Sequence, residues 1–286
     1  MLRISSLGPH DRVRVPIGAS HDLERAALAT GAQMDPVDLD PSGGAPIWPT
    51  DLVPPRPGRV VCVLDHPWGR PAPRPQAAAE CVWLEDATGA VGGSARGRAV
   101  GSLGRVAVAA LGAWPLDRSR GALVATDLPD QAARLQALLD EIPRDHAMTG
   151  SGGGLEADAA DLEDRVDACR AAAGVYDSAF RPLALLMSVV PPHPETSATF
   201  PLYLVQPPDP DALIDALAQR DIEARRLLDP RLSSLLNVGR GTAWPGARSF
   251  YSRTVGLPCH PDLGLGELLY VADAVRRHLQ GLPARS

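Results

Sequence analysis

Lysine is absent from this sequence. All 28 basic residues of the 286-residue chain are arginines, from Arg3 to Arg285. A guanidinium stays protonated and cannot serve as a nucleophilic amine, so every mechanism that runs through a lysine Schiff base is closed to the chain. Aromatic residues make up only 4%, which leaves few candidates for a stacking platform. The four cysteines, Cys62, Cys81, Cys169 and Cys259, stand far apart without CxxC or metal-ligand spacing. That pattern excludes a disulfide framework, offers no metal site, and predicts reduced thiols in a cytoplasmic protein. No apolar run approaches the ~20 residues of a membrane span, and Met1 opens no signal peptide. Acids outnumber bases, 34 to 28, for a net charge of -6. This argues against a nucleic-acid partner, because neutralising phosphates requires a basic face.

What is present reads as an α/β protein with ample material for a core. Short apolar runs bounded by turn residues occur at 59–65, 81–86, 106–111 and 122–126. Continuous runs of this length predict strands covered on both faces. Helical spacing is sparse until Asp130, where Ala132, Leu135, Leu138, Leu139 and Ile142 recur on one face before Pro143. Thr149 to Gly154 is a glycine-rich break, followed by a helix from Leu155 to Phe180 with an acidic face. Phe200 to Val205 predicts a strand, with Pro201 pointing to a sheet edge. Asp211 to Arg220 predicts a helix, 225–257 reads as mostly irregular, and Gly264 to Gln280 closes the chain as an amphipathic helix.

The order of short motifs resembles the sugar aminotransferases of the DegT–StrS group, within the fold type I pyridoxal-phosphate enzymes. Leu7 to Val13, Val37 to Asp40 and Asp65-His-Pro-Trp-Gly-Arg-Pro-Ala72 carry the early part of the resemblance. Leu84-Glu-Asp-Ala87 followed by Gly97-Arg-Ala-Val-Gly-Ser-Leu-Gly104 is its most specific stretch, and Phe200-Pro-Leu-Tyr203, Ile222 to Arg225 and Leu257-Pro-Cys-His-Pro261 follow in order. The resemblance implies a fold type I, aminotransferase-like α/β architecture. Residues 1–150 would form a mainly parallel-sheet large domain, shortened at its N-terminus relative to the family pattern. A connecting helix at 151–180 and a small C-terminal α/β domain at 181–286 would complete it.

The same resemblance exposes departures. Such enzymes hold their cofactor through a lysine, an acid at the ring nitrogen, a stacking aromatic and a phosphate cradle. Asp86 matches the acid. Pro115 falls at the lysine position, no histidine lies between His66 and His146, and Ala110 falls at the phosphate-binding serine. Ile17, Gly18, Ala19 and Ser20 replace the aromatic segment, and the glycine-rich phosphate turn would precede Met1. The partner-subunit segment would fall at 148–156, where Thr149 to Gly154 stands. The expectation is a chain without cofactor.

Asp65, His66 and Asp86 are the candidates for a working cleft. Asp86 is either a relic cofactor contact or a strand-end acid at the carboxyl edge of the sheet, where ligands bind in such folds. His66 beside Asp65 is either an acid/base pair or a loop histidine kept with Gly69 and Pro71. Cys259 and His260 are adjacent and so point to opposite faces of an extended chain. Trp68, Trp83 and Trp114 read as core or interface residues. The expected function is a catalytically degenerate aminotransferase homologue, acting as a partner or regulatory subunit in an amino-sugar or natural-product pathway. It would work as a homo-oligomer or as a heteromer with an active aminotransferase homologue. The alternative is a pyridoxal-phosphate-independent enzyme, or a binder of a sugar nucleotide or sugar-like intermediate, in the old cleft.

Overall fold

The structure is a computed structural model that describes residues 7–49, 58–75, 81–118, 120–140, 153–227 and 244–281. The first half alternates strands and short connections: β1 (Arg12–Pro16), α1 (His21–Leu28), β2 (Gln33–Val37), β3 (Val60–Asp65), β4 (Val82–Asp86), the two-residue strands β5 (Ser94–Ala95) and β6 (Arg98–Ala99), β7 (Val106–Leu111), β8 (Gly121–Ala125) and α2 (Pro129–Asp140). Then come α3 (Gly153–Phe180), β9 (Ser188–Val189), β10 (Thr196–Ser197), β11 (Leu202–Gln206), α4 (Pro210–Ala218), β12 (Arg225–Arg226), α5 (Pro245–Arg253), β13 (Val255–Pro258) and α6 (Leu265–Leu279).

Six strands form one sheet in the order β2-β1-β3-β4-β7-β8. All neighbours are parallel except β7 and β8. The alternation of side chains along β3 divides its residues between two cores. Val61 and Val63 pack with Leu23 and Ala27 of α1 and with Phe250 and Tyr251 of α5. Val60, Cys62 and Leu64 face the other way, onto Trp83, Ala95 and Leu103. Its near-continuous apolar sequence is thus the signature of a strand covered on both sides. The same expectation fails for β8. It is an antiparallel edge strand and is largely exposed, because it has a neighbour on one side only and little packed over it.

A second sheet, of order β12-β13-β11-β9, is antiparallel and packs against α3, α4 and α6. Its core is aromatic. The rings of Tyr176 and Phe180 stack at 5.5 Å, and both approach Tyr203 of β11. Tyr203 donates its hydroxyl to Asp177 at 2.5 Å, and Tyr176 donates to the carbonyl of Pro258 at 2.9 Å. These bonds satisfy the polar ends of otherwise buried rings. Strand β11 lies inside this sheet, so the edge position suggested by Pro201 is wrong. The proline comes just before the strand and removes no ladder bond.

Three further elements depart from the sequence reading. Helix α1 occupies a stretch with little helical signal, capped by Ser20, whose Oγ accepts from Leu23 N at 3.3 Å. Of the segment 225–257, expected to be mostly irregular, residues 228–243 lie outside the described residues, and the rest carries β12, α5 and most of β13. Helix α5 has no capping side chain at its own N-terminus. Asp38 supplies the cap from the loop after β2, accepting from Gly246 N at 3.0 Å and Ala247 N at 2.8 Å. The glycine-rich break and the expected partner segment lie mostly outside the described residues, with α3 beginning at Gly153. The cysteines, dispersed in sequence, meet in two pairs. Cys62 and Cys81 share one buried cluster. The thiols of Cys169 and Cys259 each donate to the other's carbonyl, at 3.4 and 3.5 Å. Burial pushes the Cys169 thiol up to about 12. No described helix is long and apolar enough to cross a membrane.

Phe180 is fully buried where α3 meets the second sheet. Phe180→Ala is expected to cost about 3–5 kcal/mol, read as a lowered urea midpoint with little change in slope.

Candidate functional site

The parallel strands deliver their C-terminal ends to one edge of the large sheet, and two carboxylates stand there side by side. Asp65 ends β3, Asp86 ends β4, and the two are direct partners in the ladder. Partners in a parallel ladder project to the same face, so the strand register alone sets the acids against each other. Asp86 is 9% exposed and Asp65 half-buried. Oδ1 of Asp86 accepts from Thr88 N at 3.1 Å, and Thr88 Oγ1 accepts from Ala110 N at 3.0 Å. The Asp65 carboxyl is pushed up to about 8, first by burial and then by the Asp86 charge, against the pull of the His66 amide.

Two cavities meet at Asp65, where Pro67 and Trp68 also line both, while Asp86 lines only the larger. The larger, of about 600 Å³, is bounded by the start of α1, Asp86, Thr88, Val108, Ala110, Ala122 and Leu227. Among the described residues lining it are three carboxylates (Asp22, Asp65, Asp86) and two hydroxyls (Ser20, Thr88), and no basic side chain. The smaller, of about 290 Å³, is walled mainly by prolines and bears Arg70. The Arg70 guanidinium donates to the carbonyls of Val190 and Pro191, and burial lowers its pKa to about 10. Trp68, expected in a core or interface, is the partition between the two cavities. It sits at φ 53° with its ring 6.0 Å from Phe250 and 5.6 Å from Tyr251. Tyr251 donates to the carbonyl of Ile17 at 3.2 Å. That placement requires glycine next door, since a Cβ on Gly18, at φ +88°, would stand 1.8 Å from the Tyr251 hydroxyl.

His66 does not join the acids. It is wholly buried, lines neither cavity, and points to the opposite face from Asp65. Its Nδ1 accepts from Ala72 N at 2.9 Å, so Nε2 carries the proton and donates to Glu85 at 3.1 Å. The acid/base pairing of Asp65 with His66 is therefore corrected: His66 closes the 67–71 loop. Glu85 was not singled out from the sequence, yet it is the centre of this arrangement. Its carboxylate also accepts from Gly101 N at 2.6 Å, Leu103 N at 2.7 Å and Gly104 N at 2.9 Å. Burial raises the Glu85 pKa, but the His66 bond and the Gly101 and Gly104 amides outweigh it and hold the carboxyl below its ordinary value. The signal was available: two acids in a row on a strand must face opposite ways, and one of them must be buried with partners.

Pro115 is buried in the 112–116 turn, away from both cavities, with its carbonyl accepting from Arg165 of α3 at 2.7 Å. Ala110 does line the large cavity. Trp83 is core, and the indole N–H of Trp114 is buried without a partner among the described residues. Cys259 is buried and His260 exposed, as adjacent residues on opposite faces should be. The described residues contain no group of three or more potential metal ligands.

No protein-family model and no curated protein sequence matches the chain. Solved structures do. An aminotransferase, TlmJ, from Streptoalloteichus hindustanus superposes with a TM-score of 0.81 at 23% identity, over 98% of this chain and 82% of that one. DesV from S. venezuelae, crystallised with a ketimine intermediate, gives 0.81 at 25%, over 98% and 81%. PseC from Helicobacter pylori, an aminotransferase involved in the biosynthesis of pseudoaminic acid, gives 0.78 at 16%, over 97% and 81%. The chain has the fold type I aminotransferase fold, and its structural neighbours are sugar aminotransferases.

Glu85→Gln places an amide N–H₂ against backbone donors in a buried site. It is expected to cost about 3 kcal/mol or more, measured by denaturant unfolding at neutral pH. Because the folded pKa of Glu85 is lowered, its contribution is present above the ordinary carboxylate range and fades as pH falls through the folded value. The variant's deficit should therefore shrink in acid. Asp65 behaves oppositely. Its raised pKa means that the folded state holds a proton the unfolded chain has released, so stability falls as pH rises from about 4 to about 8. Asp65→Asn should gain about 1–2 kcal/mol at pH 8–9, the shift being discounted for solvent access, and nothing below about pH 4.

Proposed function

We propose that this chain is a non-transaminating homologue of the sugar aminotransferases, acting as a partner or regulatory subunit in an amino-sugar or natural-product biosynthetic pathway. The observation that carries the reading is the absence of any lysine, in a chain with the fold of lysine-dependent enzymes. Residues 1–150, 151–180 and 181–286 would serve as large domain, connecting helix and small domain. In chain order the strands of the six-stranded sheet precede α3 and those of the four-stranded sheet follow it, which supports this division.

Pyridoxal phosphate does not fit the donor set of the large cavity. No amine is available for an imine, and Pro115 is turned into a buried turn at the matching position. No basic side chain meets a phosphate among the described lining residues, and Ala110 offers no hydroxyl. A phosphate dianion binds where several N–H and hydroxyl donors converge, whereas here it would face Asp65 and Asp86. The start of α1 opens on this cavity, but Ser20 already caps it and Asp22 occupies its first turn. Asp86 stands as the one matching cofactor contact. The pathway setting rests on neighbours such as PseC, and the partner role on the retention of the fold without the lysine chemistry. A homo-oligomer, or a heteromer with a lysine-bearing aminotransferase, would let the chain complete or regulate a site it does not itself possess.

A second reading is favoured by the Asp65–Asp86 pair. Two carboxylates converging on a roomy cavity suit a pyridoxal-phosphate-independent enzyme or a binder of a sugar-like intermediate.

Native mass spectrometry of the protein from its own host tests the first reading. A complex with a lysine-bearing homologue is expected, together with no internal-aldimine absorbance after incubation with excess pyridoxal phosphate. An aldimine band would overturn the non-transaminating assignment, and persistent failure to associate with any aminotransferase of the host would overturn the partner role.

A further inference from the structure

We infer that a third cavity, beside the β5–β6 hairpin on the Glu85 side of the large sheet, is a binding site for a small phosphate monoester. It lies across the sheet from Asp65 and Asp86 and depends on neither reading above. Three arginines, Arg74, Arg96 and Arg98, converge on a space of about 230 Å³ whose other described lining is apolar. Two of those apolar residues, Ala95 and Leu103, belong to the cluster of Cys62, Leu64 and Trp83 behind the sheet.

Three observations carry the assignment. The first is charge. No carboxylate stands among the described lining residues. One acid does reach an arginine from outside: Glu195 accepts from both Nε and Nη2 of Arg96 at 2.7 Å. Three guanidiniums against one carboxylate leave two positive charges, in a chain whose net charge is -6. A phosphate monoester carries about -1.5 to -2 near neutrality and matches that surplus.

The second observation is that each arginine is anchored at one edge. The His66 bond to Ala72 N closes the loop that leads to Arg74, and Arg74 stands between two prolines whose fixed φ stiffens the segment. The carbonyl of Arg74 accepts from Arg96 Nη1 at 2.7 Å, and its guanidinium lies 5.6 Å from the centroid of the Trp83 ring. Arg98 donates from Nη2 to the carbonyl of Ser102, while its Nε and Nη1 have no partner among the described residues. A guanidinium fork with open N–H groups fits phosphate oxygens in pairs. Groups already held in place lose less freedom when the ligand arrives.

The third observation is the backbone beneath them. Arg96 and Gly97 form the two-residue turn between β5 and β6, at φ 49° and 73°. Such a turn favours Asn-Gly or Gly-Gly, so an arginine in its first position is held at a cost in strain. The apolar wall offers no acceptor to a cation. Trp83, buried and covered by Arg74, offers no open face to a base. The space therefore suits a phosphoryl group with a short carbon body rather than a nucleotide.

Isothermal titration of the full chain at about pH 8, where the monoester is a dianion, tests this with glucose 6-phosphate, inorganic phosphate and glucose at matched ionic strength. Glucose 6-phosphate is expected to bind, inorganic phosphate to compete with it, and glucose to bind at least ~10-fold more weakly, a difference of about 1.4 kcal/mol. Arg98→Gln, at an exposed position, should weaken the ester at least ~10-fold with a melting temperature close to that of the parent. Arg98→Glu should abolish binding. Arg25→Gln, on the exposed face of α1, should leave it unchanged. No binding of the ester up to ~10 mM, equal binding of glucose, insensitivity to Arg98→Gln, or an equal loss in Arg25→Gln would overturn the proposal. Complex formation with an aminotransferase is read separately, so the partner reading stands or falls on its own.

Discussion

The Glu85 carboxylate is the point on which the rest of this site depends. It is wholly buried, and it gathers three backbone amides from the 101–104 turn and the imidazole of His66. Through His66 it also holds the amide of Ala72, and so the whole 67–71 loop. Strand β4 must then present its next residue, Asp86, to the opposite face. The pairing of β3 with β4 brings Asp65 beside it. One buried charge thus fixes two loops on one side of the sheet and, by the alternation of a strand, a carboxylate pair on the other.

The two faces have different chemistry for a physical reason. Behind the sheet the carboxylate is saturated by donors, which holds it ionised below its usual pKa. In front, the half-buried Asp65 has only the His66 amide to offset its desolvation and faces another acid, which holds its proton on to about pH 8. Neighbouring residues in the same pair of strands therefore titrate in opposite directions. The difference comes from hydrogen-bond supply rather than from depth, since Glu85 is the more buried of the two. Trp68, wedged against Phe250 and Tyr251, then divides the space in front of the sheet into an acidic chamber and a proline-walled one.

Much of this was legible in the order of residues. The apolar runs of β3, β4 and β7, the long helix α3 and the closing helix α6 carry their periods locally. Collinear motifs from Leu7 to Pro261 were enough to indicate the fold that the structural neighbours share. Asp65 and Asp86 were also within reach, as acids ending apolar runs. What was not legible depended on distant partners. Helix α5 takes its N-terminal cap from Asp38, 208 positions from Gly246, so no local signal announces it. Strand β8 has the apolar composition of a buried strand but lies at an exposed edge, since composition does not report which neighbours arrive. Cys62 with Cys81, and Cys169 with Cys259, are unrelated in spacing and meet only through packing.

By itself, then, the sequence determined what chemistry is impossible. A chain with no lysine cannot form an imine through a side chain, whatever its fold, and composition settles that because the required atom is missing. Which residues cooperate was decided only in three dimensions. His66 and Asp65 are neighbours in sequence yet face opposite sides of a sheet. Asp65 and Asp86, 21 positions apart, became partners because hydrogen bonds between parallel strands set a register that no short stretch of sequence contains.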